Sequence, residues 1–145
     1  METVVDTSKY DRVLKSVPSR ISDGEILNLL QTNDINWEYI DTIKELTDLN
    51  DEVISLWLNI SVRSFRSYRQ SNSRLKENLK EHVIVLLSLI KHGIQVLGTK
   101  DGFDQWLTTE NFFLDGRTPV AFLNTVTGIR FINDRLTAME YGDNV

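Results

Sequence analysis

Residues 75–97 read LKENLKEHVIVLLSLIKHGIQVL. Apolar residues fall at 75, 79, 83, 86, 90, 94 and 97. Steps of three and four are the period of an α-helix with one continuous buried stripe. The spacing predicts a single helix of about six turns. Gly98 is placed to end it as the residue just past the last turn. Gly93 inside the helix costs about 1 kcal/mol relative to Ala, so its presence predicts close packing of a neighbour. No flexible linker flanks the segment, which predicts a rigid junction between the chain before it and the chain after it.

Working back from this helix, residues 48–70 read DLNDEVISLWLNISVRSFRSYRQ. Asn50 or Asp51 can cap a helix that buries Val53, Ile54, Trp57 and Leu58. Asn59-Ile60 then forms a tight turn, and Ser61 caps a second helix with Val62 and Phe65 turned inward. Arg63, Ser64, Arg66 and Ser67 are left facing out near its start. A helix, a tight turn and a basic second helix make the helix-turn-helix arrangement. Arg offers a planar fork to guanine O6 and N7, while Ser and backbone N–H groups at a helix start hold phosphates. Ser61, Arg63, Ser64, Arg66 and Arg69 are therefore candidate DNA contacts, with Arg74 and Lys76 on flanking phosphates. The competing reading of the basic run is a solvated helix face.

Earlier still, Tyr10, Val13, Leu14 and Val17 repeat at helical spacing, and Pro18 stops the run. This first helix is either a docking helix or an arm that orders in a dimer. Ser22-Asp23-Gly24-Glu25 has the form of a capping box before Ile26, Leu29 and Leu30. Asn33 to Asn36 breaks the pattern, and Asn36 caps a third helix carrying Trp37, Ile40, Ile43 and Leu46.

After the long helix, Thr99 starts a short helix with Phe103, Trp106 and Leu107 on one face. Residues 108–117 form the longest irregular stretch, turned by Asp115-Gly116. Thr118-Pro119 is a cap followed by proline at the first helical position, with Val120, Phe122 and Leu123 directed inward. Thr125 caps the last helix, whose apolar positions are Ile129, Ile132, Leu136 and Met139. No strand pattern and no internal repeat occurs, so the expected fold class is all-α.

Charge is unevenly spread. The net charge of the 145-residue chain is −5. Residues 1–60 hold twelve acids and five bases, whereas residues 61–76 hold five bases and no acid. An acidic protein with one concentrated basic stretch can still bind DNA, because the local field at the phosphates matters more than the total. There is no cysteine, which excludes disulfides and thiolate metal sites. The beginning, METVVDTSKYDR, lacks the basic start and apolar middle of a secretion signal, so a cytoplasmic location is expected.

A catalytic centre is not expected. His82 and His92 lie ten residues apart on one helix, about 15 Å along its axis, and cannot share a metal ion. No phosphate-cradling glycine loop and no Gly-x-Ser-x-Gly elbow occurs. Asp101 and Asp104 are read as acids favoured at a helix start rather than as a catalytic pair. Neither a cofactor nor a metal site is expected.

The last forty residues, WLTTENFFLDGRTPVAFLNTVTGIRFINDRLTAMEYGDNV, carry a resemblance. Trp106, Leu107, Asn111, Leu114, Gly116, Pro119, Leu123, Thr125, Gly128, Leu136, Tyr141 and Gly142 match, in order and spacing, the C-terminal toxin-binding domain of the MbcA/ParS/Xre family of antitoxins. NISVRSFR at residues 59–66 is also similar to that family's helix-turn-helix, where G-[IV]-S-x-R-T is usual. It departs with Asn59 for Gly, Ser64 for Thr and Ser67 where a further Arg is frequent.

The resemblance implies an antitoxin of a type II toxin–antitoxin pair whose partner is a RES-domain toxin that consumes NAD. It implies an N-terminal helical arm over residues 1–30, an Xre-like helix-turn-helix domain over 31–92 and a toxin-binding domain over 93–145. In this family the C-terminal end blocks the toxin's NAD pocket. Neutralisation would fall to Glu140, Tyr141, Gly142, Asp143, Asn144 and Val145, supported by Trp106, Asn111 and Arg117. Operator DNA and a homodimer within a toxin–antitoxin complex are the other expected partners, with association with the nucleoid when on DNA. The alternatives are a stand-alone helix-turn-helix regulator without a toxin and an antitoxin whose DNA-binding half has decayed.

Overall fold

A computed structural model describes residues 7–71 and 73–142. The described residues form eight α-helices and two short 3₁₀ turns, with no strand. In order the helices are α1 Thr7–Ser16, α2 Asp23–Thr32, α3 Trp37–Thr47, α4 Asp51–Trp57, α5 Val62–Ser71, α6 Glu77–Leu97, α7 Lys100–Leu107 and α8 Val126–Glu140. The 3₁₀ turns, Phe112–Leu114 and Pro119–Phe122, lie between α7 and α8. The short helix expected after Pro119 is thus a single 3₁₀ turn, and part of the stretch expected to be irregular is another.

The caps follow the local chemistry. Ser22 accepts from the Glu25 amide at 3.1 Å while the Glu25 carboxylate accepts from the Ser22 amide at 2.9 Å, a complete capping box. Asn36, Asn50, Thr99 and Thr125 each accept from a first-turn amide of the helix that follows. Gly98 ends α6 at φ +90°, where a side chain would be strained.

The long helix is buried differently from the expectation. Every residue from Val83 to Ile90 is buried, including Ile84, Val85, Leu87 and Leu89, which lie off the stripe. A helix apolar all round its middle needs neighbours on several sides. α6 has them: α2, α3, α7 and α8 all pack on it. It is the central post of one continuous hydrophobic cluster that runs from Val13 to Leu136.

Two polar groups on α6 anchor the N-terminal segment. Ser88, fully buried, donates to the Pro18 carbonyl at 2.7 Å and accepts from the Ile21 amide at 3.1 Å. The serine that interrupts the apolar run therefore satisfies a buried turn. Lys91 donates to the carbonyls of Leu14 and Val17 at 2.5 and 2.7 Å. It closes the C-terminal end of α1 where the negative end of the helix dipole lies, and burial pushes its ammonium pKa down. α1 also lies along α3, tied by Lys9–Asp41 at 2.8 Å and Arg12–Glu38 at 3.0 Å. Within this chain, then, α1 is a docked helix. Among the described residues no single helix is long and apolar enough to cross a membrane.

Candidate functional site

Two surfaces, at opposite stages of the chain, gather the residues singled out from the sequence. The first is α4, its turn and α5. The turn is closed by Asn59 N–H to Leu56 O at 3.1 Å and Ile60 N–H to Ser55 O at 3.0 Å. Asn59 has φ +56°, a conformation that Gly and Asn tolerate best. Asn therefore keeps the turn that a glycine would make there. Ser61 caps α5, accepting from the Ser64 amide at 3.0 Å. Phe65 is the buried anchor of α5, edge-on to Trp37 with ring centroids 5.0 Å apart.

The arginines of α5 do not share one environment. Arg69 makes a two-pronged pair with Asp51, at 2.9 and 3.2 Å. Arg66 lies 3.5 Å from Asp51 and 3.2 Å from Glu52. Lys44 reaches the same Asp51 at 2.6 Å. The Arg69 and Lys44 hydrogen bonds hold the Asp51 carboxyl down at about 2. Arg66 and Arg69 are thus engaged with the acidic start of α4. By contrast, Arg63, Ser64, Ser67, Tyr68 and Lys76 line one open depression. Ser64, Tyr68 and Lys76 continue into a neighbouring one with Asn59, Asn78 and His82. Lys76 sits at the N-cap of α6 with no side-chain cap, so its ammonium and the helix dipole present positive potential together. Arg74 is exposed in the connection just before it.

The second surface is built from α7, the two 3₁₀ turns and α8. Trp106 is half-buried and stacked on Phe103, with centroids 6.3 Å apart. Asn111 is buried and spends its groups on the chain itself. Its side-chain oxygen accepts from the Phe113 amide at 2.9 Å, and its carbonyl accepts from Leu114 and Gly116 at 3.0 Å each. Its own amide donates to Arg117 O at 3.1 Å. Asn111 therefore shapes the 111–117 loop, and Arg117 stands exposed at the end of that loop.

α8 packs along α6 through Ile129, Ile132 and Leu136. Gly128 allows this, because a Cβ there would lie 1.9 Å from the Phe122 carbonyl oxygen. At the far end, fully buried His92 hydrogen-bonds Asn133 through Nδ1 at 2.6 Å and Glu140 through Nε2. The His92 contact holds the Glu140 carboxyl below its ordinary range, with Arg20, 4.0 Å away, adding to it. Arg20 also donates to the Tyr141 hydroxyl at 3.4 Å. Tyr141 is otherwise open, 76% exposed, and Gly142 follows at φ +88°.

Residues 92–142 match the family model of the antitoxin Xre/MbcA/ParS C-terminal toxin-binding domain. The segment is similar to that toxin-binding domain, and the similarity supports an antitoxin function with a toxin protein as partner. No curated protein matches the chain. The match runs from His92 to Gly142, so it spans the last six residues of α6, α7, both 3₁₀ turns and α8.

Within the matched segment the sequence-derived candidates occupy three places. Trp106 belongs to the packing of α7. Asn111 and Arg117 belong to the loop. Glu140, Tyr141 and Gly142 form the end of α8, while Asp143, Asn144 and Val145 lie outside the described residues. Among the described residues no hydrogen bond or ion pair joins the loop candidates to Glu140 or Tyr141. Sequence reasoning passed over the exposed rings of this domain: Phe112 is 87% exposed, Phe113 46% and Phe131 48%. A signal existed for Phe131, which falls off the apolar stripe of α8. Among the described residues no group of acids and histidines could hold a metal ion.

Proposed function

We propose that this chain is the antitoxin of a type II pair and neutralises a RES-domain, NAD-consuming toxin. In this reading the tail that leaves α8 at Tyr141 enters the toxin's NAD pocket and keeps the dinucleotide out. The observation that carries the reading is the toxin-binding-domain match over residues 92–142. Geometry supports it: a rigid helix packed on the core delivers an exposed Tyr and a glycine to the start of the tail. Asp143 would add an anionic group where a phosphate would sit.

The α4–turn–α5 unit serves operator binding in the same reading, with the chain acting as a dimer because one short recognition helix reads few bases. Arg63, Ser64 and Lys76 make the first contacts, with Arg74 on a flanking phosphate. Arg66 and Arg69 reach DNA only by leaving Asp51. That last pairing favours one second reading, an antitoxin that binds its toxin and no DNA.

The test is co-expression with the product of the adjacent gene, purification, and an NAD-consumption assay. The expected result is a tight complex that is silent until the tail is removed. The cut belongs after Glu140, so that the His92 contact is kept. A protein lacking residues 141–145 that still protects cells overturns the tail's role. For DNA, binding should weaken with salt by roughly one unit of log–log slope per phosphate neutralised. A flat salt response decides for the protein-only antitoxin.

A further inference from the structure

Six residues of the matched segment form a ladder of rings and guanidinium groups on one side of α8. Arg117 lies over the Phe122 ring, 4.7 Å from its centroid. Phe122 packs on Phe131 at 5.5 Å. Phe131 and Arg135 are four residues apart on α8 and so lie on one stripe. Arg135 lies over Phe113 at 4.5 Å, and Phe112 meets Phe113 edge-on at 5.6 Å. Three of its rungs, Phe112, Phe113 and Phe131, are exposed.

We infer that this ladder is the docking face for the toxin, distinct from the tail that blocks its pocket. The inference rests on the antitoxin reading above. Aromatic rings interleaved with Arg are the residue types that dominate binding energy at protein interfaces. The occupant is the toxin because the ladder lies wholly inside the segment matched as toxin-binding, residues 92–142. The partner surface that fits this face has an apolar pocket for Phe112, rimmed by carboxylates facing Arg117.

Helix geometry separates the two contacts. Phe131 and Glu140 are nine residues apart on α8, which places them about 180° apart around its axis at 3.6 residues per turn. The ladder is therefore reachable while Glu140 is still held by His92. The toxin docks on the ladder first, and the tail leaves its contacts afterwards to enter the pocket. Docking sets affinity and the tail sets inhibition.

The experiment measures binding of the co-expressed toxin to four full-length proteins: the natural chain, F112S, F131S and R117E. A fifth protein ends at Glu140. Circular dichroism and Tm establish that each variant is folded, and R117E alters no ring should F131S unfold. The expected result is at least tenfold weaker binding for F112S and R117E. The protein ending at Glu140 is expected to bind within about tenfold of the natural chain yet fail to stop NAD consumption. Unchanged binding by both F112S and R117E overturns the docking face while leaving the antitoxin function standing. So does a natural chain that is dimeric by light scattering, with F112S monomeric and toxin binding intact, because the ladder is then the self-contact. If the natural chain itself binds no toxin, it is the antitoxin reading that falls.

Discussion

His92 on α6 holds Glu140 at the end of α8 through its Nε2, and the same imidazole holds Asn133 through Nδ1. One buried ring thereby fixes the last two turns of the helix that carries the tail. Glu140 is the last residue of α8. Its family-implied role in neutralisation and its role in the fold compete for one carboxylate.

The Glu140 carboxyl is held below its ordinary range chiefly by the His92 hydrogen bond. A carboxyl with a lowered folded pKa contributes stability that is present above its unfolded pKa and is lost as pH falls through the folded value. Glu140→Gln should therefore lower the urea midpoint at neutral pH. The difference from the natural chain should shrink as the pH drops below the ordinary range of a glutamate. Urea titrations of both proteins from pH 7 to pH 3 check this, and a constant difference across that range would refute it.

Asp51 gathers Lys44, Arg66 and Arg69, and its carboxyl is pulled down to about 2. The shift from 3.8 corresponds to about 2 kcal/mol of stability at neutral pH, lost as pH falls from near 4 toward 2. Asp51→Asn should cost about 1–2 kcal/mol, the lower part of that range reflecting the exposed partners. It should also release Arg66 and Arg69 toward solvent. If the α5 face binds DNA, affinity for duplex DNA at low salt should rise several-fold while stability falls. Chemical denaturation and fluorescence anisotropy on the same preparation read both signs, and a fall in both would place the two arginines outside the DNA contact.

The helices were legible because their caps and apolar spacing are local. Ser22, Asn36, Asn50, Thr99 and Thr125 each act where the sequence places them. The all-round burial of α6 was less so, because a stripe at 75, 79, 83 and 86 says nothing about Ile84, Val85 or Leu87. That depends on how many neighbours arrive, which is a tertiary fact. The pairing of Arg66 and Arg69 with Asp51 spans two helices and is invisible to a count of charges along the chain. The His92–Glu140 contact joins residues 48 positions apart. Its histidine was legible as a residue on the long helix and not as a partner of the tail.

Ser88 looked like an interruption of an apolar run, and it is a staple between α6 and the turn before α2. Ser88→Ala would leave the buried Pro18 carbonyl and Ile21 amide without their partner. The expected cost is about 1–3 kcal/mol, with m unchanged if unfolding stays cooperative. Hydrogen exchange should localise the damage, with α1 and α2 amides losing more protection than those of α8. Uniform loss across all helices would mean that the serine acts on the whole core rather than on the N-terminal segment.

Two glycines sit at close approaches, and the atoms they face differ in kind. A Cβ at Gly93 would lie 2.1 Å from the Phe103 ring, a side chain that can turn, whereas a Cβ at Gly128 would lie 1.9 Å from a backbone oxygen. Gly93→Ala gains about 1 kcal/mol in helix propensity and loses about 1–3 kcal/mol to overpacking, for a net loss. Shrinking the ring should relieve it, so G93A/F103L should be more stable than the sum of its single changes predicts. Gly128→Ala has no such side chain to trim. It should cost about 3 kcal/mol or more, and no substitution at Phe122 should restore it, because the Phe122 carbonyl remains whatever side chain stands there. Urea midpoints of G93A, F103L, their double variant, G128A and G128A/F122L decide the matter. Simple additivity in the first set, or rescue in the second, would show that α7 or α8 shifts to make room.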